Sequence, residues 1–266
     1  MKGWVNNVKK NKFEIDMCNG SIMDKLISFS LPLMVSGILQ LAFNAVDIIV
    51  VGRFSGSQAL AAVGSTTALI NVFTNLFIGI SLGANVLAAR FYAAGKDREM
   101  SETVHTSITL ALISGIMMAV IGVLLAKWAL EIMGTPDDVI GQSALYMRIY
   151  FMGMPFFMLY NYGAAILRAI GDTKRPLIFL IISGIANAAL NMILVILFHM
   201  GVAGVAIGTI ISQLISCVLV LTCLYRSEGS YQLRFSKLKI NGAYMEQIFQ
   251  VGVPAGIQST VINLSN

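Results

Sequence analysis

Six apolar runs, each long enough to cross a bilayer as a helix, dominate this sequence: residues 26–51, 61–89, 104–126, 144–167, 177–198 and 202–224. A hydrocarbon core about 30 Å thick needs roughly 20 apolar residues at about 1.5 Å rise each. A seventh run begins near Gln247. In lipid, every backbone amide must be paired within its own helix or around a closed barrel, and a barrel would show short alternating segments instead of continuous apolar runs. The expected fold is an all-α membrane protein: a six-helix transmembrane bundle plus the start of a seventh helix. Composition points the same way. Of 266 residues, 57% are hydrophobic and 12% charged, with a mean hydropathy of +0.79, which is more apolar than a soluble domain can use.

The polar connections fall at 51–58, 95–99, 134–138, 171–176, Gly201 and 226–244. Assigned alternately to the two sides, they place fifteen of the 18 Lys and Arg together, leaving only Arg53, Lys127 and Arg148 opposite. Basic residues concentrate on the cytoplasmic side. The expectation is a multi-pass protein of the plasma membrane with a cytoplasmic N-terminus. It divides into a cytoplasmic segment 1–25, a six-helix lobe 26–225, a cytoplasmic linker 226–245 and the start of a seventh helix at 246–266. The N-terminal stretch mixes Lys9, Lys10 and Lys12 with Glu14 and Asp16 and is not a signal peptide. No basic run is long enough to imply a nucleic-acid partner. Cys18, Cys217 and Cys223 have no metal-ligand spacing with His105 or His199, so they read as packing thiols, and the two histidines as residues of the span ends.

An even number of spans returns the chain to its starting side, so the seventh runs parallel to the first. An offset of 222 aligns Pro254 with Pro32, Glu246 with Asp24 and Asn266 with Asn44. Together with the parity, this suggests a parallel repeat of two similar halves. With no basic segment after it, the seventh run is expected to be held weakly. Pro32 and Pro155 lie inside apolar helical patterns and are expected to kink them.

Asp47 is the one acidic residue well inside a run. An ionisable group there costs at least a few kcal/mol unless it faces a cavity or a partner. Gln40, Asn44 and Asp47 are spaced i, i+4, i+7, forming one polar stripe that should face the bundle interior. Counting back from the outer ends places Asp47, Asn191 and Thr209 within roughly 6 to 10 Å of the outer boundary. Asn187 lies one turn deeper than Asn191, and Gln213 one turn deeper than Thr209. A carboxylate, two carboxamides and a hydroxyl at one depth supply hard oxygen ligands for Na+, or a polar cage for a protonatable acid. Asn187, Asn191 and Thr209 could equally be interhelical hydrogen-bond glue, worth about 0.6 to 2 kcal/mol each. A buried carboxylate is too expensive for packing alone, so Asp47 reads as functional. Gln40, Asn44, Asn71, Asn75, Asn161 and Gln213 are candidates for a substrate path, with glue as the alternative role of Asn71, Asn75 and Asn161. The fifteen methionines supply an adaptable wall or simple core filling. No nucleophile with its base, metal cluster or phosphate loop is present in the sequence, so no enzyme and no cofactor are expected.

The set is also familiar. The run Asp47-Ile48-Ile49-Val50-Val51-Gly52, the run from Arg168 through Gly171-Asp172-Thr173-Lys174-Arg175-Pro176, and Asn187-Ala188-Ala189-Leu190-Asn191 followed by Gly201 to Thr209 resemble the multidrug and toxic compound extrusion (MATE) family. The resemblance extends from about Asp24 to the end of the chain. It implies twelve spans in two six-helix lobes around a central cavity, with export of amphipathic, often cationic compounds driven by H+ or Na+ entry. It places the cation site of the first lobe on Asp47, Asn187, Asn191 and Thr209. Some members carry a second acid where this chain has Asn191. On this reading the chain is the first lobe, and its partners are the substrate, the bilayer, and a C-terminal lobe or a second copy. The alternatives are a lipid-linked oligosaccharide flippase of the same superfamily, expected to carry more basic residues inside its spans, and a non-transporting membrane subunit.

Overall fold

The computed structural model describes residues 21–265. Lys2, Lys9, Lys10, Lys12, Cys18 and the Asn266 end of the repeat lie outside the described residues. Eight α-helices follow one another: α1 (Ile22–Phe54), α2 (Gly56–Ala93), α3 (Asp97–Ile132), α4 (Asp137–Met152), α5 (Met154–Ala169), α6 (Lys174–Met192), α7 (Gly201–Arg226) and α8 (Gly242–Ser265). α1, α2, α3, the stretch Lys174–Leu197 and α7 are each long and apolar enough to cross a membrane unaided. The connection expected over 51–58 shrinks to Ser55.

The fourth run, expected as one kinked helix over 144–167, is two 16-residue helices meeting at Gly153. Pro155 lacks an N–H and its ring blocks the carbonyl one turn back, so the helix cannot run straight through. The Phe156 and Phe157 amides restart the ladder on the Gly153 carbonyl, at 3.1 and 3.2 Å. Two glycines of α3 receive this break. A side chain on Gly115 would meet the Pro155 backbone, and one on Gly122 would meet the Phe151 ring.

α1 lies at the rim of the bundle. Only 11% of its most apolar stretch is buried, against 44% in α2, and Val50 and Val51 near its end are its buried residues. Leu31, Met34, Ile38 and Leu41 face outward. Gln40 and Asn44 are exposed as well, so the stripe expected to face the interior turns inward only at Asp47. The physical reason is contact: α1 meets α6 and α2 in its C-terminal half, where Phe43 lies over Gly184 and Leu60 covers Gly52.

The seventh helix departs from expectation in the other direction. α8 lies close along α2, where Gly79 faces Gly256, and Gly83 faces Ile248 and Gly252. In lipid, apolarity alone gives helices no reason to associate, and small residues that let backbones approach supply the dispersion contact instead. Pro254 sits inside α8 as Pro32 sits inside α1.

His105, near the start of α3, is buried and ties down the 226–241 stretch. Its Nδ1 donates to the Ser101 carbonyl at 2.6 Å, leaving Nε2 to accept from the Arg234 amide at 3.1 Å. The Asn241 amide donates to Thr106 Oγ1 at 3.2 Å, one residue further along α3.

The turn from α5 to α6 is closed by charge. Gly171 takes a φ of 86° that favours glycine. The chain then buries Asp172 completely, where its carboxylate accepts the Arg175 amide at 3.0 Å and the Arg175 guanidinium. Arg175 Nη1 reaches Cys223 Sγ at 3.1 Å, joining this turn to α7. Removing one partner of a buried ion pair leaves the other uncompensated. Asp172→Ala should therefore lower stability by about 3 kcal/mol, measured by thermal unfolding in detergent, whereas exposed Glu131→Ala should be near neutral.

Candidate functional site

Three helices meet around Asp47. α1 brings the carboxylate, α6 brings Asn187 and Asn191 one turn apart on one face, and α7 brings Thr209. Two glycines set the approach. Phe43, one turn before Asp47, packs where Gly184 has no side chain, three residues before Asn187; a side chain on Gly208 would strike Asn191 Oδ1. α1 and α6 run parallel as odd-numbered crossings, so the Phe43–Gly184 contact fixes the register that puts Asp47 beside Asn191.

The polar groups form one chain of contacts. Asn191 Nδ2 donates to Asp47 Oδ1 at 2.5 Å and lies 3.3 Å from Asn187 Oδ1. Asn187 Nδ2 reaches Thr209 Oγ1 at 3.4 Å, and the Thr209 hydroxyl donates to the Val205 carbonyl at 2.9 Å. Asn187 and Asn191 are buried, Asp47 and Thr209 half-buried. Among the described residues, no cationic side chain pairs with Asp47, and the buried Asn191 Oδ1 accepts no hydrogen bond. A carboxylate drawn partly out of water without a counter-charge favours a proton or a cation. The oxygens of Asp47, Asn187, Asn191 and Thr209 are hard ligands that suit Na+ or H+ rather than a thiophilic metal. Among the described residues, no three His, Cys, Asp or Glu side chains converge on a metal-sized site.

Sequence reasoning missed three features here. Immediately after Asn191, α6 widens into a π-helical turn, Ile193–Leu197, before the left-handed His199 leads into α7. Single π turns are frequent at functional sites because they locally shift the helix face. Tyr146 and Tyr150 of α4, with ring centroids 6.1 Å apart, stand within electrostatic reach of Asp47. Their i, i+4 spacing in the fourth run was the available signal. Finally, Gln213 reaches the Gly153 break, where a side chain would meet its Oε1, so it belongs to the α4–α5 junction one turn below Thr209.

The remaining candidates are not hydrogen-bonded to the Asp47 group. Asn161 Nδ2 donates to the Phe157 carbonyl of its own helix at 2.8 Å. Asn71 is exposed and Asn75 half-buried on α2, and Gln40 and Asn44 are exposed on α1. The Tyr160 hydroxyl, beside Asn161, donates to the Pro176 carbonyl at 3.0 Å and joins α5 to α6.

The MatE family model matches residues 32–193. The chain is 33% identical over 254 residues to the probable multidrug resistance protein YoeA of Bacillus subtilis, covering 92% of this chain and 54% of that protein. It is 28% identical over 255 residues to the multidrug export protein MepA of Staphylococcus haemolyticus, covering 92% of this chain and 56% of that one. The chain thus spans about half the length of the curated relatives it matches. Among solved structures, an outward-facing conformation of a multidrug resistance MATE family transporter of the MOP superfamily superposes with a TM-score of 0.86 at 22% identity, covering 97% of this chain and 57% of that one. A crystal structure of MATE in the bent conformation gives 0.85 at 22% identity, covering 92% and 55%. The helical architecture around Asp47 and the match to the family model lead to one conclusion: this chain belongs to the MatE family.

Proposed function

We propose that this chain forms the first lobe of a secondary antiporter that exports amphipathic, often cationic compounds in exchange for H+ or Na+. The observation that carries the reading is the Asp47 carboxylate, half-buried with no cationic partner among the described residues and held by Asn191 at the head of a network reaching Asn187 and Thr209. A carboxylate that must bind a cation to be comfortable in a membrane can exchange that cation between two states. The names of YoeA and MepA, which concern multidrug resistance and export, support the substrate class. Because Asn191 stands where some members carry an acid, the site holds one negative charge, and either a proton or one Na+ neutralises it.

In the proposed division, residues 26–225 make the lobe, 226–245 the cytoplasmic linker and 246–266 the opening of the seventh helix, with 1–25 a cytoplasmic segment ahead of it. The outward Gln40 and Asn44 and the apolar rim of α1 then face a central cavity shared with a second lobe or a second copy. Alternating access moves one repeat against the other, so a single lobe has no second wall to close.

In a transporter carrying this lobe, Asp47→Asn should abolish cation-driven dye export while insertion and thermal stability hold or improve, since removing the charge lowers the cost of burial. Export at the unsubstituted rate would refute the assignment. Residues 1–266 alone should insert and move no dye in proteoliposomes, and robust coupled transport by a monomeric species would contradict the half-machine reading.

The proposed orientation is tested separately. Single cysteines at Pro136 and Lys237, in a background lacking the native cysteines, should react with an impermeant reagent from outside and from the cytoplasm respectively. Reaction of position 237 from outside would reverse the topology.

A further inference from the structure

On the face opposite the Asp47 network, an open cavity of about 780 Å³ lies between the first turns of α3 and the 237–242 stretch. Such a volume is within the range of small-ligand sites, about 300–1,000 Å³. Its floor is neutralised internally: Glu102 accepts from Arg98 at 3.0 Å and from Asn241 Nδ2 at 2.9 Å. Lys237 and Lys239 also line it, both exposed and, among the described residues, without an ion-pair partner. The charged lining therefore carries a net two positive charges, from Arg98, Lys237 and Lys239 against Glu102, with the Ser101 hydroxyl beside them. His105, neutral in its bonding to Ser101 and Arg234, and Thr106, bonded to Asn241, hold the two walls together.

What accompanies the lysines identifies the ligand. Phe235 and Tyr225 are exposed by 54% and 53% and stack on each other with centroids 5.8 Å apart, next to Arg234 and Arg226 in sequence. Exposed aromatic rings beside Lys and Arg characterise the headgroup layer of a membrane, where the ring is amphipathic and the cation meets lipid phosphate. The apolar crossing of α3 begins with Val104, fully buried, between Glu102 and His105 of the cavity wall.

We infer that this cavity binds the phosphate headgroup of an anionic lipid from the cytoplasmic leaflet, with Lys237 and Lys239 as the charged contacts and the Tyr225–Phe235 pair seated among neighbouring headgroups. The leaflet assignment rests on the orientation proposed above; lipid binding itself does not. Occupancy would join the linker that follows α7 to the start of α3, so the lipid acts as a third element of the linker's anchorage alongside His105 and Asn241.

The test uses the 266-residue chain purified in mild detergent and offered phosphatidylglycerol or phosphatidylcholine of the same acyl chains, with retention read by native mass spectrometry. The unsubstituted chain should retain phosphatidylglycerol preferentially. The double variant K237Q/K239Q should weaken that retention about thirtyfold for two cations removed, and Lys127→Gln, paired to Glu131 at the other end of α3, should leave it unchanged. Unaltered retention by the double variant, or an equal loss with Lys127→Gln, would overturn the site. Displacement of the lipid by inorganic phosphate would make a free anion the ligand and overturn the lipid assignment. Labelling at position 237 reports orientation and lipid retention reports the cavity, so the two failures are distinguishable.

Discussion

A carboxylate set in a long apolar helix with no cationic partner among the described residues is the constraint around which the rest of the structure is arranged. Asp47 can remain there because Asn191 donates to it and because Asn187 and Thr209 keep the surrounding amides in line. Each of those groups is positioned by something small nearby. Gly184 admits Phe43 and sets the height of α1 on α6, and Gly208 lets α7 come close enough for Asn191 to fit. In lipid, where apolar burial gives helices little reason to choose one neighbour over another, such steric matching and a few hydrogen bonds select the packing. The chemistry and the packing at this point are therefore one arrangement, and a change to either glycine acts on both.

The same economy of small residues explains how the ends of the chain are placed. α8 settles against α2 along a glycine seam, whereas α1 leaves most of its length uncovered. At the opposite end of the bundle, charge does the fixing. The Asp172–Arg175 pair closes the α5–α6 turn, and His105 clamps the linker after α7. The run containing Asp172, one of those that carried the family resemblance, thus acts in the structure as a joint between helices, away from the Asp47 network.

Much of this was legible in the sequence, for reasons that can be stated. Continuous apolar runs report helices because lipid allows no other way to satisfy the backbone. Counting residues along helices of fixed rise brought Asp47, Asn191 and Thr209 to one depth; in the structure Asn191 bonds Asp47 directly, and Thr209 joins them only by way of Asn187. The same periodicity misplaced Gln40 and Asn44, because a helical stripe says which residues share a face but not how far along the helix a neighbour extends. The division at Gly153 was half visible: Pro155 announced a disturbance, but whether a helix bends or restarts depends on the glycines of α3 packed against it. The π turn after Asn191 and the proximity of Tyr146 and Tyr150 to Asp47 arise from tertiary packing, which leaves no periodic trace. The burial of His105 was not visible in the sequence because its partner, the Arg234 amide, lies 129 residues away.

The central claim is that Asp47 is the group that takes up the coupling cation. Infrared difference spectroscopy on the chain with isotope-labelled aspartate, recorded on adding Na+ and on stepping the pH, addresses that carboxyl directly. The account predicts that at least one of the two perturbations shifts the bands of a single aspartate, and that the shift is absent from Asp47→Asn and altered in Asn191→Ala. Difference spectra that superimpose for the unsubstituted chain and Asp47→Asn under both perturbations would contradict it.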